Sequence, residues 1–131
     1  MKFSIVIPAF NEGAHIASAV KAVNDQVLKP DDSFEIIVVD NNSSDHTHAA
    51  ATTALGESGK VVSEKRAGPN YARQRGFLES TGDVICFLDS DCRIPTDWIA
   101  NIRLEIERGA KAVSGPYYYV FSPYFLRIPN A

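Results

Sequence analysis

"FEIIVVD", residues 34–40, is an apolar run rich in Ile and Val, without polar alternation, that closes on the carboxylate of Asp40. A strand wetted on one face alternates apolar with polar residues. An uninterrupted run predicts a strand covered on both faces, as in a parallel sheet. "FSIVIP" (3–8) upstream and "DVICFLD" (83–89) downstream carry the same signature. "KVVS" (60–63) and "KAVSG" (111–115) are weaker strand candidates, expected nearer the sheet edges.

Helical spacing fills the gaps. Ile16, Val20 and Val23 recur at helical intervals after "FNEG", with Asn11 expected as N-cap. In "NNSSDHTHAAATTAL" (41–55) a Ser is expected to cap, and Asp45 suits the positive end of the helix dipole. "GPNYARQRGFLES" (68–80) puts Pro69 at a first helical position, with Ala72 and Gly76 forming a small-residue face for close packing. In "TDWIANIRLEIERG" (96–109), Ile99, Ile102 and Ile106 share one side and Gly109 is a stop signal. Strand and helix alternate without linker, repeat or low-complexity tract. The pattern predicts an α/β protein, a three-layer α/β/α sandwich on a mostly parallel, Rossmann-like sheet with right-handed crossovers.

The bulk numbers narrow the function. A chain of 131 residues suits one domain with a single core, and 45% hydrophobic with 22% charged residues is an ordinary globular composition. A net charge of −3 argues against a nucleic-acid partner, because such proteins carry a basic surface. Two cysteines, Cys86 and Cys92, make no disulfide framework and are expected reduced, in a cytoplasmic protein. The opening "MKFSIVIPAF" lacks the pattern of a signal peptide, and no stretch of about 20 apolar residues exists to span a membrane.

Each strong strand ends in polar residues: Pro8 to Glu12, Asp40 to Asp45, and Asp89 to Cys92. Ligands of open α/β sheets bind beyond the carboxyl ends of the strands. If the strands are neighbours, Glu12, Asp40, Asp89 and Asp91 converge on one rim, where a cation would relieve their repulsion. Paired aspartates suit Mn2+ or Mg2+, hard cations that complete their shell with water and phosphate oxygens. By itself D-x-D is a common strand ending and turn; its place after a buried strand, beside two other polar ends, favours the metal. His46 and His48, two apart on a helix, diverge and are read as solvent-facing, Asp45 as helix-start chemistry, and Asp83 as a turn residue. No G-x-x-x-x-G-K-[ST] loop and no G-x-G-x-x-G turn is present, which excludes a P-loop NTPase and a dinucleotide binder.

Four segments, "IVIPAFNE" (5–12), "IIVVDNNSSDHT" (36–47), "GPNYARQRGFLESTGDVICFLDSD" (68–91) and "PTDWI" (95–99), come in the order found in family 2 glycosyltransferases. The chain resembles the N-terminal, nucleotide-sugar-binding half of that family, which has the GT-A fold. The resemblance implies an inverting, metal-dependent transfer from a nucleoside-diphosphate sugar, UDP-linked by preference, to an acceptor hydroxyl on a glycan, lipid phosphate or protein. Pro8, Phe10 and Glu12 would line the nucleoside pocket, with Phe10 near the base. Asp40 would accept a hydrogen bond from a base N–H. Asp89 would lie near the ribose and share the metal, Ser90 would join the substrate-binding set, and Asp91 would bind the metal on the diphosphate. Arg73 would face base or phosphates. Phe10 could instead pack on the first helix as a staple, Arg73 could be a surface cation, and Arg66 or Lys65 could supply the positive charge. The family's usual acidic pair after the second strand is here Asp40-Asn41, and Cys92 stands where a polar or acidic residue is frequent.

The family's general base lies well past the D-x-D, and no residue after Asp91 fits it: Asp97, Glu105 and Glu107 read as solvated helix charges. Residues 1–115 are thus expected to form the donor-binding domain. Residues 116–131, aromatic and apolar, are expected to lead into a missing acceptor half, with the catalytic base beyond Ala131. A homodimer through the uncovered face and a peripheral contact at the inner face of a membrane are further expectations. The reading from another class is a non-catalytic nucleotide-binding or assembly module, or an inactive truncated fragment.

Overall fold

In the computed structural model, which describes residues 1–116, the apolar runs become parallel strands: β1 (Lys2–Ala9), β2 (Ser33–Asp40), β3 (Gly59–Ser63) and β4 (Val84–Phe87). Helices α1 (Ile16–Asn24), α2 (Thr47–Leu55) and α3 (Pro69–Glu79) connect them in turn, and α4 (Trp98–Glu107) follows. The sheet order is β3-β2-β1-β4 with every pair parallel. The chain therefore steps outward from β1 to β3 and then crosses back to the far side of β1. Right-handed crossovers demand that the returning helix lie on the opposite face. Accordingly, residues of α1, α2 and α4 (Ile16, Val20, Ala51, Leu55, Ile99) share one core with Phe3, Ile5, Ile7, Ile36 and Val38. Ala72 of α3 packs beneath Val6, Ile37 and Val39 on the other face. This is the expected three-layer sandwich. Each Ile or Val removed from water contributes about 1.5–3 kcal/mol.

Close approach of α3 depends on the predicted small-residue face. Ala72 and Gly76 are buried, and a Cβ at Gly76 would collide with Val6 Cγ1. Pro69 opens α3 as expected, and Gly109, at φ +97°, follows the end of α4. Asp83 is a turn residue: it pairs backbone to backbone with Lys2 and accepts the Lys2 N–H on its carboxylate at 2.8 Å.

Several local expectations are overturned. Asn11 does not cap α1, which begins at Ile16; it lies in the left-handed region at φ 50°. No Ser side chain caps α2; its N-cap residue is His46, which makes no side-chain cap bond, and the preceding Asp45 accepts the Thr47 N–H at 2.9 Å. The run 83–89 is not wholly buried, because Phe87 is 45% exposed. Among the described residues β4 pairs only with β1, and α3 packs on β1 and β2, so the outer part of that face is uncovered. "KAVSG" (111–115) is exposed and forms no strand, since no described strand pairs with it. No described helix is long and apolar enough to cross a membrane. The aromatic tail expected at 116–131 lies, from residue 117, outside the described residues.

Candidate active site

The strand order reverses between β1 and β4, and the chain leaves both strands there, at the carboxyl edge where α/β sheets hold ligands. Register sets the composition of this place. Val6 pairs with Phe87, so two residues further on Asp89 stands level with Pro8. The turn that follows is closed by the Cys92 N–H on the Asp89 carbonyl at 3.0 Å and presents Asp89, Ser90 and Asp91 together. Opposite stand Pro8, Phe10 and Glu12 from the end of β1, Asn41 from the end of β2, and Gly68, Ala72 and Arg73 from α3 and its approach. These line an open cavity of about 500 Å³, within the ~300–1,000 Å³ of small-molecule clefts.

Seven of the eight residues expected at the site line this cavity: Pro8, Phe10, Glu12, Arg73, Asp89, Ser90 and Asp91. Asp40 is the exception. Its neighbours alternate, Val38 in the core beneath α1 and α2 and Val39 in the core over α3. Asp40 follows Val38's side. Its carboxylate accepts the Ser43 N–H at 3.1 Å and lies 3.4 Å from His48 Nδ1. The expected convergence of Asp40 with Asp89 and Asp91 is therefore not found, and Asn41 occupies the wall instead. His48 is exposed as expected, yet it is also the neighbour of Asp40.

The rim is a stitched pair of turns. Asn11 donates its N–H to Ser43 Oγ at 3.0 Å and accepts the Ser44 N–H on Oδ1 at 2.8 Å. Glu12 N–H donates to Thr47 Oγ1 at 2.9 Å, and Gly13 N–H to Asp45 Oδ2 at 3.1 Å. The Thr47 hydroxyl, helped by the backbone N–H groups of Thr47 and Gly13, holds the Asp45 carboxyl below its usual range. The His46 ring covers Gly13, where a Cβ would sit 2.7 Å from its Cε1. Asn11, Asn41, Ser43 and Asp45 were not assigned to the site from sequence. Polar side chains that serve backbone amides of another loop leave no periodic trace, although Asn is enriched where φ is positive. Gln26, also unassigned, accepts the Ile99 N–H at 2.9 Å and donates to the Pro95 carbonyl at 2.7 Å, fixing the chain beyond Asp91.

Among the described basic residues, Arg73 alone lines the cavity, and its Nη2 lies 3.1 Å from Asp89 Oδ1. Arg66 is engaged elsewhere: it binds the Glu64 carboxylate through N, Nε and Nη2 at 2.9–3.1 Å and lies 4.6 Å over the Tyr71 ring. Arg66, through its side chain and then its backbone N–H, lowers the Glu64 carboxyl to about 2. Burial pushes the Cys86 thiol up to about 12, and burial followed by the charges of Asp91 and Asp89 raises that of Cys92. Both thiols are free. Among the described residues no three His, Cys, Asp or Glu side chains gather closely enough to hold a metal unaided. Two carboxylates, Asp89 and Asp91, do suit a hard cation that takes its remaining oxygens from water and a ligand's phosphates.

The family model for glycosyl transferase family 2 matches residues 4–130. Glycosyltransferase AglE of Haloferax volcanii is 33% identical over 115 residues, 86% of this chain and 35% of its own length. TarS of S. aureus, solved with UDP-GlcNAc, superposes with a TM-score of 0.73 at 25% identity, over 82% of this chain and 32% of that one. Mannosyltransferase PcManGT of Pyrobaculum calidifontis, solved with GDP-Man and Mn2+, gives 0.69 at 26% identity, over 76% and 30%. The chain spans about a third of the length of these relatives. The sheet is that of GT-A transferases, and the sequence match runs through both stitched turns, α3 and the acidic turn facing them. Fold and sequence agree, and the chain belongs to glycosyl transferase family 2.

Proposed function

We propose that this chain is the donor-binding part of an inverting, metal-dependent glycosyltransferase that takes a nucleoside-diphosphate sugar, UDP-linked by preference. The observation that carries this is the composition of one cavity: an aromatic ring, an arginine and a pair of carboxylates around about 500 Å³ at the switch point. Phe10 is 60% exposed on its rim, which supports a face for the base rather than a staple on α1. The N-terminus of α3, lacking a side-chain cap at Gly68, borders the cavity and favours negative charge there. Asp91 and Asp89 would hold Mn2+ or Mg2+, which when bound neutralises charge on a departing diphosphate. Arg73 holds Asp89 in place and offers the diphosphate a guanidinium. Ser90, buried between the aspartates, and Glu12, whose carboxylate is 2.9 Å from His15 Nδ1, complete the polar lining. Asp40 lies outside this lining, with its carboxylate 3.4 Å from His48 Nδ1 of α2.

UDP-GlcNAc in TarS and GDP-Man in PcManGT support the donor class, while the two bases differ. Thermal denaturation of the chain with Mn2+ and either UDP or GDP tests both the class and the base. UDP with Mn2+ is expected to raise the Tm, neither alone to do so fully, and Asp91→Ala to abolish the shift. A stronger response to GDP overturns the UDP assignment, and no response to either diphosphate overturns the donor site.

A second reading has its own observation. Asp97, Glu105 and Glu107 lie away from the cavity, so among the described residues no carboxylate beyond Asp91 faces it. The chain by itself would then bind donor without transferring it, acting as a nucleotide-binding module. Hydrolysis or transfer of a UDP-sugar by this chain would exclude that reading.

A further inference from the structure

Asn41 stands where the family's usual second acid would be, and its amide has a full set of partners. The residue is 5% exposed on the cavity wall. Its Nδ2 donates to the carbonyls of Glu64 at 3.0 Å and Arg66 at 2.7 Å, and its Oδ1 accepts the Gly68 N–H at 3.0 Å. Its own N–H donates to the Ala9 carbonyl at 2.8 Å. One residue thus joins the end of β1, through its backbone N–H, to the loop that leads into α3, through its side chain. That loop carries Ala67, Gly68 and Pro69 onto the cavity, and Arg73 follows one turn into the helix.

The arrangement requires an amide. Nδ2 donates to two carbonyl oxygens, so a carboxylate at this position would set one acceptor oxygen against both carbonyls and leave them without their donor. An amide at position 41 therefore holds the wall from Glu64 to Gly68 in a way that an acid would not.

We propose that Asn41 is a positioning residue for the donor: its amide fixes the wall from Glu64 to Gly68 against which the nucleotide seats. This rests on the donor site proposed above, and the test separates the two. Asn41→Asp and Asn41→Ala are compared with the unchanged chain in two measurements. One is hydrogen exchange at the Gly68 amide without ligand. The other is UDP affinity with Mn2+ between neutral and mildly acidic pH. Asn41→Ala, which removes the acceptor of the Gly68 N–H, is expected to lose Gly68 protection, and both variants are expected to bind UDP about tenfold more weakly. Asn41→Asp alone is expected to regain affinity relative to the unchanged chain as pH falls, because a protonated carboxyl donates one hydrogen bond. A general loss of stability would not produce that pH-dependent recovery in one variant only. If the unchanged chain binds UDP and Asn41→Asp binds it equally well at neutral pH, the positioning role fails and the donor site stands. Weaker binding by Asn41→Ala with Gly68 still protected also overturns it. If the unchanged chain binds no nucleotide, the donor site fails first.

Discussion

Arg73 Nη2 and Asp89 Oδ1 lie 3.1 Å apart across the cavity, joining α3 to the turn after β4. Both side chains remain partly exposed, at 37% and 45%, so the pair adds at most ~1 kcal/mol to stability. Its weight is local: a guanidinium already sits on one of the two carboxylates proposed to hold a metal. Arg73→Ala is expected to leave the Tm nearly unchanged, to strengthen binding of Mn2+ alone, and to weaken UDP. Electron paramagnetic resonance of free Mn2+ during a titration reads the metal arm directly. Unchanged Mn2+ affinity would show that the pair does not compete with the ion.

Phe10→Ala separates the two roles open to this ring. Since 60% of the residue is exposed, its removal should change stability by no more than about 0.5 kcal/mol, while affinity for a nucleoside diphosphate falls several-fold. A staple on α1 would give the reverse, a lower urea midpoint with affinity retained.

Gly76→Ala is expected to destabilise by ~1–3 kcal/mol through overpacking, because the added methyl meets Val6 on β1. Urea denaturation measures the loss. Since α3 also carries Arg73, nucleotide affinity should fall with it.

Acid stability should follow Glu64. Its carboxyl titrates near 2 in the folded chain against an ordinary value of 4.5, chiefly through the Arg66 side chain. A depressed carboxylate stabilises above the ordinary value, because between the two values the unfolded chain binds the proton and the folded chain does not. That contribution is lost progressively as pH falls from about 4.5 towards 2. Glu64→Gln should flatten the dependence of the Tm on pH in this window, and an unaltered slope would assign the acid sensitivity elsewhere.

How far the molecule is legible in its sequence depends on which residues have periodic neighbours. Ile36 to Val39 and Ile5 to Ile7 are buried on both faces, so their uninterrupted apolar runs announce a parallel sheet. Pro69, Ala72 and Gly76 announce how α3 begins and how closely it packs. Strand parity was available and decisive at one point: Asp40 shares a face with Val38, which points it at α2, whereas Asn41 follows Val39 towards the cavity. Phe87 reads as buried because a strand that is apolar at every position carries no mark of a missing neighbour, and among the described residues β4 pairs only with β1. Asn11, Ser43 and Asp45 were hidden for another reason. They satisfy amides across two turns far apart in sequence, and nothing local marks that partnership.

The stitched turns have a practical corollary. Residues 10–13 and 43–47 exchange hydrogen bonds in both directions, so neither can be transplanted from a relative without the other. Attempts to re-engineer the proposed donor site should move the two turns as one cassette. Substitutions made in only one of them should couple non-additively to those in its partner.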